Sequence, residues 1–297
     1  MKPLLNEIVK LSEDCFRITE TGSIHCYLLI GKTGALLIDT GYGYEDIRPF
    51  LRELTDRPIT VVLTHGDSDH ALGAGRFDEV WIHPLDYGKM KQNDTPERKR
   101  PMVEHRLKKM PELSSILDIA SYIETPVLTD QTAIRFLQDG QIFDLGDRTV
   151  ECIHTPGHSY GHMMFLEQPS GRLFAGDQLA QNHYIWHHLS ADEQASFGVT
   201  LAALNKLKAR ADSIHQILPA HGASPADQPL IEDLYDALKY DLPKTWKNDS
   251  YIHTAMGDGY AHQYRSAWFY YNDARLEEYL GEPVHREKNS GSDKVKH

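Results

Sequence analysis

The sequence predicts an α/β fold with two sheets packed face to face and helices outside them. Short apolar runs recur along the chain and stop at Gly, Asp or Pro, as buried strands do. Segments with apolar residues at helical spacing lie between several of these runs. The alternation occurs in two halves of similar pattern, separated by a polar segment at residues 85–131.

The first half predicts buried strands joined by short connections. One connection, residues 44–54, places Ile47, Phe50, Leu51 and Leu54 on one face of a helix. The predicted strands are residues 23–30, 35–39, 59–63 and 80–84.

The polar, helix-favouring sequence of residues 85–131 predicts a helical insertion that forms a cap over the candidate site described below. Within them, residues 94–109 hold six basic side chains against three acidic ones in an otherwise acidic chain. One interpretation is a solvated helix face, which is the usual role of a charge run. The other is a cap that attracts an anionic substrate. The six basic residues are Arg98, Lys99, Arg100, Arg106, Lys108 and Lys109.

The second half is again rich in strands and ends in an aromatic segment. Residues 260–271 predict a late hairpin, and a polar tail follows at residues 283–297. Residues 1–282 are expected to form a single domain. The other predicted strands are residues 133–137, 149–154, 162–166, 172–175 and 214–218, and the predicted helices are residues 191–209 and 230–240.

The composition excludes several classes of protein. The 297 residues carry 31 Lys and Arg against 43 Asp and Glu, a net charge of −12, which argues against a nucleic-acid groove. The longest apolar runs are too short to cross a membrane, and the N-terminal segment lacks the apolar stretch of a secretory signal. Three cysteines without a C-x-x-C spacing indicate a reduced protein. We therefore expect a cytoplasmic protein with a small-molecule substrate.

The loop after the third predicted strand concentrates four candidate metal ligands: His65, Asp67, Asp69 and His70. Alternate residues of a loop can point to one side, so the first three can converge while His70 turns to a neighbouring position. Such a cluster, if buried, would be costly without a cation. A polar loop in which Asp69 merely caps a helix would leave both histidines unexplained.

The same pattern returns at three later strand ends. His158 lies in a Thr-Pro-Gly-His sequence, Asp177 in Gly-Asp, and His221 in Ala-His-Gly. Histidine and aspartate gathered at strand ends predict a metal site. Of the two histidines that flank the first of these sequences, His154 is expected to pack or to support a ligand, and His162 is expected to have a structural role.

Together these motifs resemble those of the metallo-β-lactamase superfamily. The resemblance covers roughly residues 15–225, in the family's order, and implies a four-layer αββα sandwich with a helical insertion after the first half. The matching motifs are Gly22–Ile30 with Leu37–Gly41, residues 65–70, residues 155–158, residues 176–177 and residues 220–222.

The resemblance also implies a hydrolase with two divalent metal ions, with zinc expected first and manganese or iron as alternatives. Asp69 would also orient a metal-bound hydroxide and take part in proton transfer. The implied ligands are His65, Asp67 and His158 for the first ion, Asp69, His70 and His221 for the second, and Asp177 as the bridge.

The chain departs from the family pattern at Asp67, where histidine is usual. A carboxylate adds one negative charge and an oxygen ligand, which shifts the preference toward harder metals such as manganese or iron. It should also make a bound water less acidic. A glutamate at this position is known in the related diiron oxygen-reducing flavoproteins, so the position can still bind metal.

The sequence is compatible with several substrates and reactions. His183 and Tyr184, soon after Asp177, are candidate substrate-binding residues that could orient a carbonyl or stabilise an oxyanion, and His187 and His188 have weaker claims. An ester or lactone, thioester, amide or phosphodiester could be hydrolysed. The alternatives are a diiron redox protein that reduces oxygen or a related small molecule, and a non-catalytic metal-binding protein.

Overall fold

The computed structural model describes residues 5–129, 131–186, 194–227, 229–254 and 257–284. The chain divides into two compact units. The first unit comprises Met1–His154 with Met163–Ser170, and the second comprises Thr155–His162 with Gly171–His297. Whether they make up one domain stays a prediction.

Seven strands of the first unit form one sheet in chain order. They are β1 (Asn6–Ser12), β2 (Cys15–Glu20), β3 (Ile24–Ile30), β4 (Ala35–Ile38), β5 (Ile59–Val62), β6 (Glu79–Ile82) and β7 (Ala133–Phe136). Neighbours from β1 to β4 are antiparallel, and those from β4 to β7 are parallel. β4 is wholly buried, as expected of a short apolar strand in the middle of a sheet.

Five α-helices in the described part of the first unit connect these strands. They are α1 (Arg48–Leu54), α2 (Ser68–Ala71), α3 (Pro84–Asn93), α4 (Pro96–Lys109) and α5 (Ile119–Glu124). Phe50 and Leu51 of α1 pack with Leu28 and Leu37 of the sheet in the main core of this unit. The insertion at 85–131 is helical as predicted, and Val103 of α4 packs in a second apolar cluster.

Three further strands of the first unit pair antiparallel: β8 (Ile142–Asp144), β9 (Thr149–His154) and β10 (Met163–Gln168). β9 and β10 are almost entirely buried along their apolar residues. Their register places His154 opposite Met163.

The second unit contains a parallel strand pair and a four-stranded sheet. Its elements are β11 (Arg172–Gly176), β12 (Tyr184–Trp186), α6 (Phe197–Lys208), β13 (Gln216–Pro219), α7 (Leu230–Asp236), α8 (Leu242–Thr245), β14 (Ser250–Thr254), β15 (Gly257–Tyr264), β16 (Ala267–Tyr271) and α9 (Asp273–Leu280). β11 pairs parallel with β13, and the four-stranded sheet has the order β12-β16-β15-β14. A π-helical turn at Ala237–Asp241 joins α7 to α8.

The α/β fold class is confirmed, and the predicted strands lie within one or two residues of those observed. The predicted helix at 44–54 is wrong about its start, because the Tyr44 N–H donates to the buried Glu20 carboxylate at 2.9 Å and the helix begins only at Arg48. The helix predicted at 191–209 begins at Phe197, after the Ser196 side chain that caps it. Part of that prediction, residues 191–193, lies outside the described residues, as does most of the polar tail.

The sequence patterns did not predict several elements, including β1, β2, β8, β12, β14 and α9. β1 illustrates the cause, because its residues are mostly partly exposed and give no apolar run. The hairpin predicted at 260–271 is confirmed as β15 and β16. Within the described ranges, no helix combines the length and apolar character needed to span a membrane. All three cysteines are described, and none forms a disulfide.

Candidate metal centre

The loop between β5 and α2 brings its two histidines together. His65 and His70 are fully buried, with ring centroids 3.9 Å apart. Asp67 precedes the first turn of α2 in an extended conformation, and Asp69 lies within that turn. The side chains of Asp67 and Asp69 are 25% and 20% exposed. The loop therefore presents two buried imidazoles beside two partly accessible carboxylates.

Asp39 and Thr64 orient the two histidine rings. His70 Nδ1 donates to Asp39 Oδ2 at 2.9 Å, and the Thr64 hydroxyl donates to the same oxygen at 2.8 Å. Because that hydroxyl has only one hydrogen, its oxygen accepts from His65 Nδ1 at 2.9 Å. Each ring thus uses Nδ1 within the protein, and Nε2 is the nitrogen that would bind a metal.

This supporting pair was not singled out by sequence reasoning as part of the site. Asp39 lies in the Leu-Ile-Asp-Thr-Gly sequence at the end of β4, and Thr64 directly precedes His65. The signal available was the presence of a buried aspartate at a strand end next to the ligand strand. Its pairing with His70 joins residues 31 positions apart, which no local pattern reveals.

Asp67 lies between a candidate ligand and a lysine. Its Oδ2 is 3.2 Å from His65 Nε2, and its Oδ1 is 2.6 Å from Lys89 Nζ. Lys89 belongs to α3, and sequence reasoning missed it because it stands among many charged residues of the insertion. The negative charge of Asp67 therefore has a positive partner within the protein.

In the second unit, Asp177 lies beside both of the later histidines. Asp177 directly follows β11 and His221 follows β13, so the parallel pairing brings these strand ends together. The distance from Asp177 Oδ2 is 3.4 Å to His221 Nε2 and 3.9 Å to His158 Nε2. His158 and Asp177 are buried, whereas the His221 side chain is 17% exposed.

Gly157 allows the backbone to approach closely at His158. A Cβ at this position would lie 2.3 Å from Gln178 Oε1. That oxygen accepts the His158 backbone N–H at 2.7 Å, which anchors the turn carrying the histidine. A side chain at position 157 would therefore displace the buried Gln178 amide from this hydrogen bond.

The two flanking histidines make the contacts of packing residues. The His154 ring stacks on His83 with centroids 4.2 Å apart. Burial, and then the neighbouring His154, lower the pKa of His83 to about 4. His162 is fully buried, and its Nδ1 lies 3.0 Å from the Thr155 hydroxyl oxygen.

The two candidate substrate-binding residues lie in different surroundings. The exposed His183 ring stacks on His221, with centroids 5.6 Å apart and planes 11° apart. Tyr184 is part of β12, stacks on Tyr270 at 4.3 Å and forms a hydrogen bond with Gln263. Contact with a substrate stays a prediction for both, and His187 and His188 lie outside the described residues.

One residue of the basic segment, Lys99, does not lie on a solvated face, and attraction of an anionic substrate by the other basic residues stays a prediction. Lys99 is fully buried, and its Nζ donates to Asp94 Oδ1 at 3.1 Å and to the Thr125 carbonyl at 2.7 Å. Arg106 lies over the Tyr42 ring, 5.2 Å from its centroid. Lys99 therefore stabilises the insertion, because a buried ammonium needs its partners within the protein.

The donor set as a whole fits divalent metal ions. All seven predicted ligands are among the described side chains that could hold such an ion. Imidazole nitrogens with preset tautomers, combined with carboxylate oxygens, suit zinc and also manganese or iron.

Comparison with known proteins identifies the family. A family model described as the metallo-beta-lactamase superfamily matches residues 19–241. The acyl-coenzyme A thioesterase MBLAC2 of Gallus gallus is 27% identical over 231 residues, which are 74% of this chain and 79% of that protein. The atrochrysone carboxyl ACP thioesterase of Aspergillus terreus is 25% identical over 236 residues, covering 76% of this chain and 59% of the fungal protein.

A solved structure shows the same fold. The metallo-beta-lactamase from Pontibacter korlensis superimposes with a TM-score of 0.55 and 20% sequence identity, covering 79% of this chain and 99% of that one. The family match extends over well over half of the chain and includes every predicted metal ligand. The chain therefore belongs to the metallo-beta-lactamase superfamily and is a hydrolase with that fold.

Proposed function

We propose that the protein is a metal-dependent thioesterase that hydrolyses a small acyl thioester. Two divalent ions, zinc in the first instance, would be held by the seven residues that the family resemblance assigns. The preset tautomers of His65 and His70 carry the proposal, because both Nδ1 atoms are engaged within the protein. Asp39 supports both rings through one connected set of hydrogen bonds, as residues behind metal ligands commonly do.

The ions, once bound, would supply a hydroxide near neutral pH and polarise the thioester carbonyl. The chain's own residues then orient and transfer protons. Asp69, whose partly exposed carboxylate lies 3.6 Å from His70 Nε2, would orient the attacking water and accept the proton that the water loses on becoming hydroxide. The exposed His183 is the candidate to contact the acyl carbonyl, from its stacked position on His221.

The relatives support thioester hydrolysis among the possible reactions. One is named a thioesterase for acyl-coenzyme A and the other for an acyl carrier protein, so the two differ in carrier and share the bond. A thioester needs no protonation of its leaving group near neutral pH, since a thiol with a pKa of about 8.5 leaves readily as thiolate. Asp69 would thus be needed mainly to activate the nucleophile.

The test is a substrate panel run on protein of known metal content. Acyl-CoA thioesters of several chain lengths are compared with matched oxygen esters, lactones and phosphodiesters, and thiol release is followed with a disulfide reagent. We expect thioesters to be hydrolysed fastest, with loss of activity on chelation and recovery with zinc.

The matched control is Asp69→Asn compared with Asp46→Asn, the latter an aspartate hydrogen-bonded to Arg48. Only the first substitution should remove thioester hydrolysis. Metal-loaded protein that releases no thiol but hydrolyses another bond would reject the thioester assignment. Oxygen consumption by iron-loaded protein with an electron donor would instead support the redox alternative.

A further inference from the structure

Helix α3 contacts the ligand loop through three polar residues on one face. Asp86 Oδ2 accepts the Gly66 N–H at 2.8 Å, and Asn93 Nδ2 donates to the Gly66 carbonyl at 2.9 Å. Lys89 Nζ contacts Asp67 Oδ1 at 2.6 Å. Positions 86, 89 and 93 are three and four residues apart, so they follow one another along the helix surface. The helix therefore holds two consecutive loop residues.

Gly66 lets the helix approach this closely. A Cβ on Gly66 would lie 2.5 Å from the Asp86 carbonyl oxygen and 2.9 Å from the Met90 nitrogen. Both atoms belong to the helix backbone and cannot turn away. The position of Lys89 relative to Asp67 is thus set by backbone packing, and not by the flexible lysine side chain alone.

The ion pair is largely removed from water. The side chains of Lys89 and Asp67 are 16% and 25% exposed. Charges in such surroundings are costly unless they are paired, and removing one partner exposes the full cost of the other. Asp67 is also the position at which this chain departs from the histidine of the family motif, so the unusual carboxylate has an adjacent cation.

We propose that Asp67 and Lys89 together replace the usual histidine as a metal ligand without net charge. Asp67 Oδ2, on the side of His65, is the binding oxygen, and Lys89 holds the other oxygen and offsets its charge. Lys89 is thereby a positioning residue for the first metal ion. The inference rests on the metal centre of the proposed function. It replaces the expectation that Asp67 makes the site more negative than the histidine of the family motif would.

The experiment measures zinc binding by four variants: Asp67→His, Lys89→Met, the double variant, and Lys91→Met as the matched control. Lys91 is exposed on the same helix and lies over the Tyr87 ring. Each protein is stripped of metal and titrated with Zn²⁺ against a chromophoric chelator. Far-UV circular dichroism and thermal unfolding of the stripped proteins verify that each variant folds.

We expect Asp67→His to weaken zinc binding by about 10- to 100-fold, because Lys89 becomes an uncompensated cation beside the site. Adding Lys89→Met should restore affinity to within a few-fold of the wild type. Lys89→Met alone should weaken binding by about 10-fold, because losing the contact that fixes the Asp67 carboxylate outweighs the removal of a neighbouring positive charge, while Lys91→Met leaves it unchanged.

A double variant that binds zinc no better than Asp67→His would overturn the proposal, as would a Lys89→Met variant that binds zinc as tightly as Lys91→Met or more tightly. A wild type that binds no zinc would overturn it together with the metal centre. Zinc binding without thioester hydrolysis would reject only the proposed function, since hydrolysis is not the quantity measured here.

Discussion

Side chains that hydrogen-bond the candidate metal ligands determine how those ligands are oriented. Asp39 accepts hydrogen bonds from the Thr64 backbone, the Thr64 hydroxyl and His70 Nδ1. Its carboxylate therefore orients two of the proposed ligands, one directly and one through Thr64. Such supporting residues commonly affect metal binding nearly as much as the ligands themselves.

Asp39→Asn should weaken zinc binding by about 10- to 100-fold. An amide has one acceptor oxygen and two N–H donors, so it cannot accept all three hydrogen bonds. Competition with a chromophoric chelator measures the change. Asp46→Asn is the control, and equal affinity of the two variants would contradict the role given to Asp39.

The buried Glu20 should make the free energy of unfolding depend on pH. Burial raises the pKa of its carboxyl from 4.5 to about 7, although the backbone N–H groups of Tyr42 and Tyr44 oppose the shift. The raised pKa means that the folded state favours the neutral Glu20 carboxyl. The resulting stabilisation is full below about pH 4.5, is lost as the pH rises through about 7, and amounts to about 3 kcal/mol. Glu20→Gln should flatten the fall in unfolding free energy over this range.

Urea denaturation of metal-stripped protein at several pH values tests this expectation, since removing the metal from both proteins leaves the glutamate as the difference between them. Parallel pH profiles for the wild type and the variant would show that Glu20 does not titrate as its burial implies.

At the scale of elements, the insertion combines structural and exposed charges on one helix. Lys99 of α4 faces Asp94, which also accepts the backbone N–H groups of Val127 and Leu128 at 3.0 and 2.9 Å. The ion pair thus joins the start of α4 to the segment after α5. Arg98, one position earlier, is exposed.

Lys99→Met should destabilise the protein by about 3–5 kcal/mol, because Asp94 would remain buried without its cation. Arg98→Met, a neighbouring cation replaced in the same way, should change stability by less than about 0.5 kcal/mol. Both values come from urea unfolding. A loss below 1 kcal/mol for Lys99→Met would mean that the segment does not depend on this pair.

Arg106 is a cation of α4 that interacts with both Tyr42 and Asp69. Its guanidinium lies over Tyr42 and hydrogen-bonds the Tyr42 hydroxyl at 3.3 Å. Burial first, and then the charge of Asp69, raise the pKa of Tyr42 well above its usual value. Arg106 is therefore the member of the basic segment placed within the electrostatic surroundings of Asp69.

Arg106→Gln should raise KM for an acyl-CoA by about fivefold, corresponding to about 1 kcal/mol for one solvent-screened charge pair, with kcat little changed. Added salt should reduce the difference. Arg98→Gln is the control from the exposed face. A fall in kcat at constant KM would place Arg106 in the chemical step instead.

At the scale of the whole molecule, the family resemblance assigns His158 to the first metal ion and His221 to the second. His158→Ala and His221→Ala should each lower the metal content and abolish hydrolysis, while far-UV circular dichroism stays native.

His162→Ala should keep both metals, because His162 contacts Thr155 in the protein interior, and should lower stability by about 1–3 kcal/mol. Elemental analysis and urea unfolding separate the two outcomes, and loss of metal from His162→Ala would reverse the assignment.

The sequence alone determined the α/β class, most strands and the positions of the candidate ligands. These features depend on local signals, namely apolar runs of strand length and the polar residues that end them. The strands β1 and β8 carry no such signal, since they are partly exposed and gain their order from pairing with neighbours.

Only the tertiary structure decided which charges meet. The chain has 31 Lys and Arg and 43 Asp and Glu, and the spacing of these residues in the sequence does not reveal which of them form ion pairs. Lys89 reaches Asp67, Lys99 is buried on Asp94, and Asp39 holds His70 because separate elements pack against one another. The energy of a charge depends on its burial and its partner, and both are properties of the folded chain.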